Sequence, residues 1–240
     1  MAREVALDLH VHTALSPCAA AEMTPPAVLL SAERLGLDII GIVDHATAGN
    51  ARAFAEAAPA FRVRVTVGME VEAAEGVHLL ALFDTPEAAE AFERILRPHR
   101  PERANRPDLF GDQWLVDSLG NIVGEEKRLL LTAADLGLSE LTALVLASEG
   151  LAIPAHVDRE AYGLYSVLGF LPRDLVAEVL EVSPWMTVEQ ARARWPELAD
   201  RKLVRGSDAH CLDDLGRALT KGPDELREAP VKDWSRILVG

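Results

Sequence analysis

The chain has 240 residues, long for a minimal domain and sufficient for one α/β barrel or one large open sheet, so a second core is not required. Hydrophobic residues make up 49% and charged residues 26%, a balance that excludes long disordered tracts. Lys and Arg number 24 against 38 Asp and Glu, and the net charge of −14 repels a polyanion at long range, so long nucleic acid is not expected as a partner.

The opening residues, MAREVALDLHVH, lack the apolar run and small-residue cleavage site of a signal peptide, and no apolar stretch is long enough for a bilayer. A cytoplasmic protein without membrane association is expected. Two cysteines, Cys18 and Cys211, are too few for a disulfide framework.

In chain order, a first strand is expected over 5–9, with Asp8, His10 and His12 at its end. Thr24 before Pro25 and Pro26 opens an apolar-periodic helix through Leu35, which Gly36 closes. A strand over 39–43 leads to Asp44 and His45, one over 63–71 carries Glu70 and Glu72 at its end, and one over 77–83 contains His78. Thr85 and Pro86 start a helix that runs to about Leu96. The stretch 97–126 is rich in Arg and Pro and has no helical period; it reads as an irregular insertion over one face, with a short hairpin from Trp114 to Gly124. Ser139 is expected to cap a further helix ending near Gly150. Strands over 151–155, 179–182 and 203–206 complete the set; the first leads to His156 and Asp158, the last to Asp208 and His210. Such Val-, Ile- and Leu-rich runs between helices suit a parallel sheet covered on its outer face, whose closed form is a β/α barrel, here one domain over 1–240.

The potential metal ligands thus gather at strand carboxyl ends, which form one mouth in a barrel. Of 7 histidines, six lie in or just after candidate strands, and the remaining one, His99, is expected to be solvated. In an extended segment residues i and i+2 point the same way, so His10 and His12 can present two imidazoles to one ion. Imidazole mixed with carboxylate suits zinc, manganese or iron. Several positions keep two readings. Asp44 ligates or caps the turn that presents His45; either Glu70 or Glu72 is the ligand; His78 is a ligand or a satisfied core histidine. Cys18 is a soft ligand or a small buried hydrophobe, and Cys211 is expected to pack.

The motifs DLHVHT, IVDH, GMEVE, PAHVD and GSDAH, in this order from Asp8 to His210, resemble those of the PHP (polymerase and histidinol phosphatase) family of metal-dependent phosphoesterases. The resemblance implies a distorted (β/α)7 barrel with two to three divalent metal ions at the carboxyl-terminal ends of the strands. It implies that His10 and His12 bind one metal with Asp208, that Glu70 bridges to a second held by His156 and His78, and that His45 and His210 hold a third. The family's usual further ligand of the third site, a His or Asp in the loop after H-x-H, is replaced, and Cys18 stands at about that place.

Two or three divalent ions lower the pKa of a shared water toward neutrality, so the expected nucleophile is a metal-bound hydroxide rather than a side chain. Arg159 is the first candidate to clamp the phosphate, with Lys127 and Arg217 behind it. The insertion, with Arg97, Arg100, Arg103 and Arg106, is a substrate-selecting lid or a solvated charged loop. The expected activity is hydrolysis of a phosphate monoester of a small metabolite or nucleotide. The alternatives are exonuclease action on short oligonucleotides and a non-catalytic, metal-stabilised binding domain.

Overall fold

The structure, a computed structural model, describes residues 4–238. The chain runs through β1 (Glu4–Val11), α1 (Pro25–Leu35), β2 (Ile39–His45), α2 (Ala51–Ala57), β3 (Arg64–Glu72), β4 (His78–Phe83) and α3 (Pro86–Leu96). It continues through α4 (Pro107–Phe110), β5 (Trp114–Val116), β6 (Ile122–Glu125), α5 (Leu138–Ala147), β7 (Leu151–Pro154) and α6 (Leu164–Leu168). The last elements are β8 (Val179–Val182), α7 (Val188–Arg194), β9 (Lys202–Arg205), β10 (Thr220–Pro223) and α8 (Trp234–Ile237).

Six strands form one curled sheet in the order β10-β1-β2-β3-β4-β7, and β8 pairs with β9 alongside. The α/β class expected from the sequence holds, but the parallel alternation does not hold throughout. β3 and β4 form an antiparallel hairpin, because the five residues 73–77 between them are too few for a helical crossover. β10 adds antiparallel to the outer edge of β1. The β8–β9 pair meets β7 through Val157 N–H donating to Glu181 O (2.9 Å) and meets β1 through His12 N–H donating to Ala209 O (3.0 Å).

The inner face of the sheet holds Val5, Leu7, Leu9, Ile39, Leu80, Leu82, Ile153 and Val204, and Leu226, Val231 and the fully buried Trp234 close its amino-terminal end. Each large side chain buried there contributes roughly 1.5–3 kcal/mol. Most of the buried polar side chains gather at the carboxyl-terminal end. The register of β1 against β2 shifts between Asp8 and Val11, which turns the strand after Leu9 so that His10 and His12 reach the mouth while Val11 joins the outer core.

Helix α1 has the expected bounds, and Gly36 ends it with φ +72°. Thr85 Oγ1 accepts from Ala88 N–H at the start of α3, also as expected. The cap of α5 is corrected from Ser139 to Gly137: Glu140 accepts from Gly137 N–H and Glu75 from Leu138 N–H, so the helix begins before the serine. Among the described residues no helix is long and apolar enough to cross a membrane.

Candidate metal centre

Register brings the donors together. His45 at the end of β2 lies beside Glu70 of β3, and Glu72 lies opposite His78 of β4. His156 follows β7, Asp208 and His210 follow β9, and the bulged end of β1 supplies His10 and His12. His156 and Asp208 both hold positive φ, +30° and +51°, and so do Ala46 after β2 and Tyr162 beside His78. Such sparsely populated backbone persists only where its surroundings over-determine it, and among the described non-glycine residues all but Glu149, which precedes β7, lie at this pole.

Glu70 is the hub. Its Oε1 lies 2.7 Å from His78 Nδ1, 3.1 Å from His156 Nε2 and 3.4 Å from His10 Nε2; its Oε2 lies 3.1 Å from His45 Nδ1 and 3.4 Å from His12 Nε2. Asp208 Oδ1 faces His10 and His12 Nε2 at 3.2 and 3.3 Å, and its other oxygen binds Arg159. Donor atoms fall into four close groups: His10, His12, Asp208; His10, Glu70, His156; His45, Glu70, His78; and His12, His45, His210. The two expected readings of Glu70 and Glu72 are thereby separated: Glu70 is buried at the centre, and Glu72 only lines the cavity.

The hydrogen-bond pattern shows that this donor set suits a metal ion. Ser16 Oγ donates to Asp44 Oδ1 (2.7 Å), so toward His12 Nδ1 (2.8 Å) it accepts, and the ring proton sits on Nδ1. Glu181 likewise accepts the Nδ1 proton of His10 (2.8 Å). In the neutral rings both Nε2 atoms are then bare, yet they stand 3.2 Å apart and face Glu70 and Asp208. Acceptors packed this way require a cation among them, either ring protons or a metal. Asp44, accepting from Thr13 N–H and Oγ1 as well as Ser16, ties down the loop behind His12.

The electrostatics divide the imidazoles. Burial pulls His10 down, but Glu181, Asp208 and Glu70 more than offset it and hold the ring well above the usual histidine value. Against the same burial, bonds to Asp208 and Glu70 raise His12 to about 9. Glu70 and Asp208, despite burial, are held below the usual carboxylate range by the facing histidines. At the rim burial dominates: His45 is lowered, and His210 falls to about 4 with help from the charge of His12. Burial and the charge of Glu70 push the Cys18 thiol up to about 12, with Sγ 3.3 Å from His45 Nε2.

A cavity of about 290 Å³ opens beside Glu70, lined by Cys18, His45, Glu72, His78, Thr132, Arg159, Tyr162, Asp208 and His210, among others. Tyr162 stacks on His78 with centroids 4.3 Å apart. All nine expected ligands are brought to this pole, as is Arg159. Lys127 and Arg217 do not line the cavity; they pair with Glu125 and Asp214. Cys211 turns to Asp214 (3.2 Å), and His99 pairs with Asp135 at the surface. The insertion is neither a free lid nor a solvated loop throughout. Arg100 is buried and donates to the carbonyls of Ala46, Leu129 and Leu130, while Asn50 bonds the backbone of Trp114 and Val116. Glu181, hydrogen-bonded to His10, was not among the expected residues; a lone carboxylate inside the apolar run V-L-E-V was its one visible signal.

No curated protein matches the sequence. Among solved structures, the lesion-specific Endonuclease Q of Pyrococcus furiosus is similar with a TM-score of 0.73 at 20% identity, over 95% of this chain and 56% of that one. Endonuclease Q in complex with a 27-mer duplex substrate carrying an abasic lesion at the active site matches with a TM-score of 0.70, at the same identity and coverage. This chain therefore spans little more than half the length of those proteins. A protein of Bifidobacterium adolescentis, provisionally named a metal-dependent phosphoesterase, matches with a TM-score of 0.64 at 21% identity, over 92% of this chain and 94% of that one. The likeness to Endonuclease Q corrects the expectation that long nucleic acid is excluded. Net charge describes the whole surface, and at physiological salt charges interact over only about 8 Å, so the field at the mouth is set locally. The insertion with its return, 97–128, carries six Lys and Arg and six Asp and Glu, a neutral segment in an acidic chain. The family match to the PHP domain covers residues 8–172, which holds the motifs of His10, His12, His45, Glu70, His78 and His156, and the chain belongs to the PHP domain family.

Proposed function

We propose that this chain is a metal-dependent phosphoesterase that hydrolyses a phosphate ester entering the cavity beside Glu70. The observation that carries this reading is the convergence of five imidazoles on that one buried carboxylate, with the Nε2 atoms of His10 and His12 turned toward it. His10, His12, Glu70, His156 and Asp208 would hold the inner ions, and His45, His78, His210 and Cys18 the rim; zinc, manganese and iron suit this mixture. Such ions, two to three in number, supply Lewis acidity, neutralising charge on phosphoryl oxygens and acidifying water.

The chain's own residues do the remaining work. Arg159, released from Asp208, offers a planar pair of donors to a phosphate. Thr132 and Tyr162 wall the cavity, whose size admits a terminal phosphate with a small alcohol or sugar. The reading treats 1–240 as one domain, with the curled sheet and the β8–β9 pair together forming the distorted (β/α)7 barrel of the family.

A nucleic-acid ester is the second reading, favoured by the shared fold with Endonuclease Q. Elemental analysis of purified protein, followed by assays with Mn²⁺, Zn²⁺ and Fe²⁺, tests both. The panel comprises phosphorylated metabolites, nucleotides, short oligonucleotides and duplex DNA with an abasic site. Ester hydrolysis lost on chelation is expected, and the preferred substrate separates the readings. Metal-loaded protein that turns over nothing in the panel would defeat the phosphoesterase reading and leave a metal-stabilised binding domain.

A further inference from the structure

Glu181 of β8 stands outside every close group of metal donors among the described residues, yet it touches three of the segments that carry them. The residue is 1% exposed. Its Oε2 accepts from His10 Nδ1 at 2.8 Å and from the backbone N–H of His156 at 3.0 Å. Its Oε1 is buried without a hydrogen-bond partner and presses on Gly206, where a Cβ would stand 2.1 Å from it and 2.9 Å from the Cβ of His10. Gly206 precedes Asp208 by two residues, and His156 holds the strained φ of +30°.

Packing alone gives no reason for a carboxylate here. Val179, Leu180 and Val182 around it are buried and apolar, and an ionised group in such a place is costly unless its partners are fixed. Those partners are specific. A carboxylate on Nδ1–H fixes the ring tautomer, aims the Nε2 lone pair into the centre and raises its basicity. The bond to His156 N–H clamps a backbone conformation that a non-glycine residue seldom adopts.

We propose that Glu181 is the positioning residue of the centre: without ligating, it sets the tautomer and aim of His10 and the backbone of His156, and Gly206 as glycine leaves room for both it and His10. The inference rests on the metal reading of the site. The variant Glu181→Gln keeps size and an acceptor but removes the charge. Zn²⁺ titration against a chromophoric chelator is expected to show affinity weakened by about 10–100-fold, with the metal-free variant folded by circular dichroism. Gly206→Ala, whose methyl would meet both the carboxylate and the Cβ of His10, is expected to give at least as large a loss.

A readout independent of metal is the His10 Nδ1 proton in the chelated protein, expected as a solvent-protected, downfield signal that moves upfield in Glu181→Gln. Wild-type Zn²⁺ affinity in Glu181→Gln with that signal unmoved overturns the proposal. If the wild-type protein itself takes up no metal, the metal reading falls, and the His10 signal alone decides: movement supports the positioning role, and no movement overturns it.

Discussion

The inner wall and the rim of the same centre are built differently. On the wall, His10, His12, Glu70 and His156 are buried, and Glu181 and Ser16 fix the far nitrogens of the first two rings. At the rim, His45 and His210 are partly exposed, and Cys18 is exposed as a residue while its thiol turns inward to His45. Carboxylates raise the wall imidazoles His10 and His12, whereas burial lowers the rim pair. The wall therefore demands a cation in every state, and the rim offers neutral lone pairs that wait for one. Orientation is built into the fold in the first case and completed by the ligand in the second.

The sharpest way to break this comparison is at the hub. Glu70→Gln removes the charge that five imidazoles share, and it is expected to lower kcat/KM by about 10³-fold or more and to strip metal from wall and rim together. His210→Ala should lose one ion and only about 10–100-fold in rate. Metal content by elemental analysis, read beside kcat/KM, checks both. Equal losses in the two variants would mean that wall and rim are one site with no division.

The wall was more legible in the sequence than its supports. Strand ends carry His10, Glu70, His156 and Asp208 because a sheet curled around one core turns all its parallel strand ends to one side, which a linear reading can use. Glu70 could not be told from Glu72 by alternation, since both face the same way; only the depth of burial separates them. Glu181 was invisible for a related reason: in a short strand flanked by loops, alternation does not distinguish a solvent-facing carboxylate from one aimed at a histidine 171 residues away. β10 escaped because T-K-G-P has no strand composition; it is held by backbone pairing to β1 and by Thr220 Oγ1 bonded to the backbone of Arg205. The β3–β4 hairpin was also missed, although its five-residue link is too short for the crossover a parallel pair needs.

A second test uses pH. In metal-free protein His12 sits at about 9 against 6.5 when unfolded, so its stabilising contribution is complete below pH 6.5 and is lost as pH rises through 9. The difference corresponds to at most about 3 kcal/mol, shared with Glu70 and Asp208. In loaded protein the metal takes the proton's place, so stability should hold across that window while affinity for metal rises with pH. Denaturant unfolding between pH 6 and 9.5, with and without chelator, measures the divergence. Curves that stay parallel would show that the wall carries no proton and that the electrostatic contrast with the rim is wrong.

The smallest expected effect lies where the two regions meet. Arg159 is half-exposed at the cavity and paired with Asp208, so it belongs either to the substrate or to the wall. Arg159→Met keeps the stem and removes the fork. If the guanidinium serves the substrate, KM for a phosphate ester should rise about 10-fold with metal affinity unchanged, and stability should move by less than about 1 kcal/mol because a partly exposed ion pair contributes little. If it serves Asp208 instead, metal binding changes and KM follows only through it, since a carboxylate freed from a guanidinium binds a cation more readily. Measuring Zn²⁺ affinity and KM on the same variant therefore assigns Arg159 to one side, and an Arg159→Met protein unaltered in both would remove it from the centre altogether.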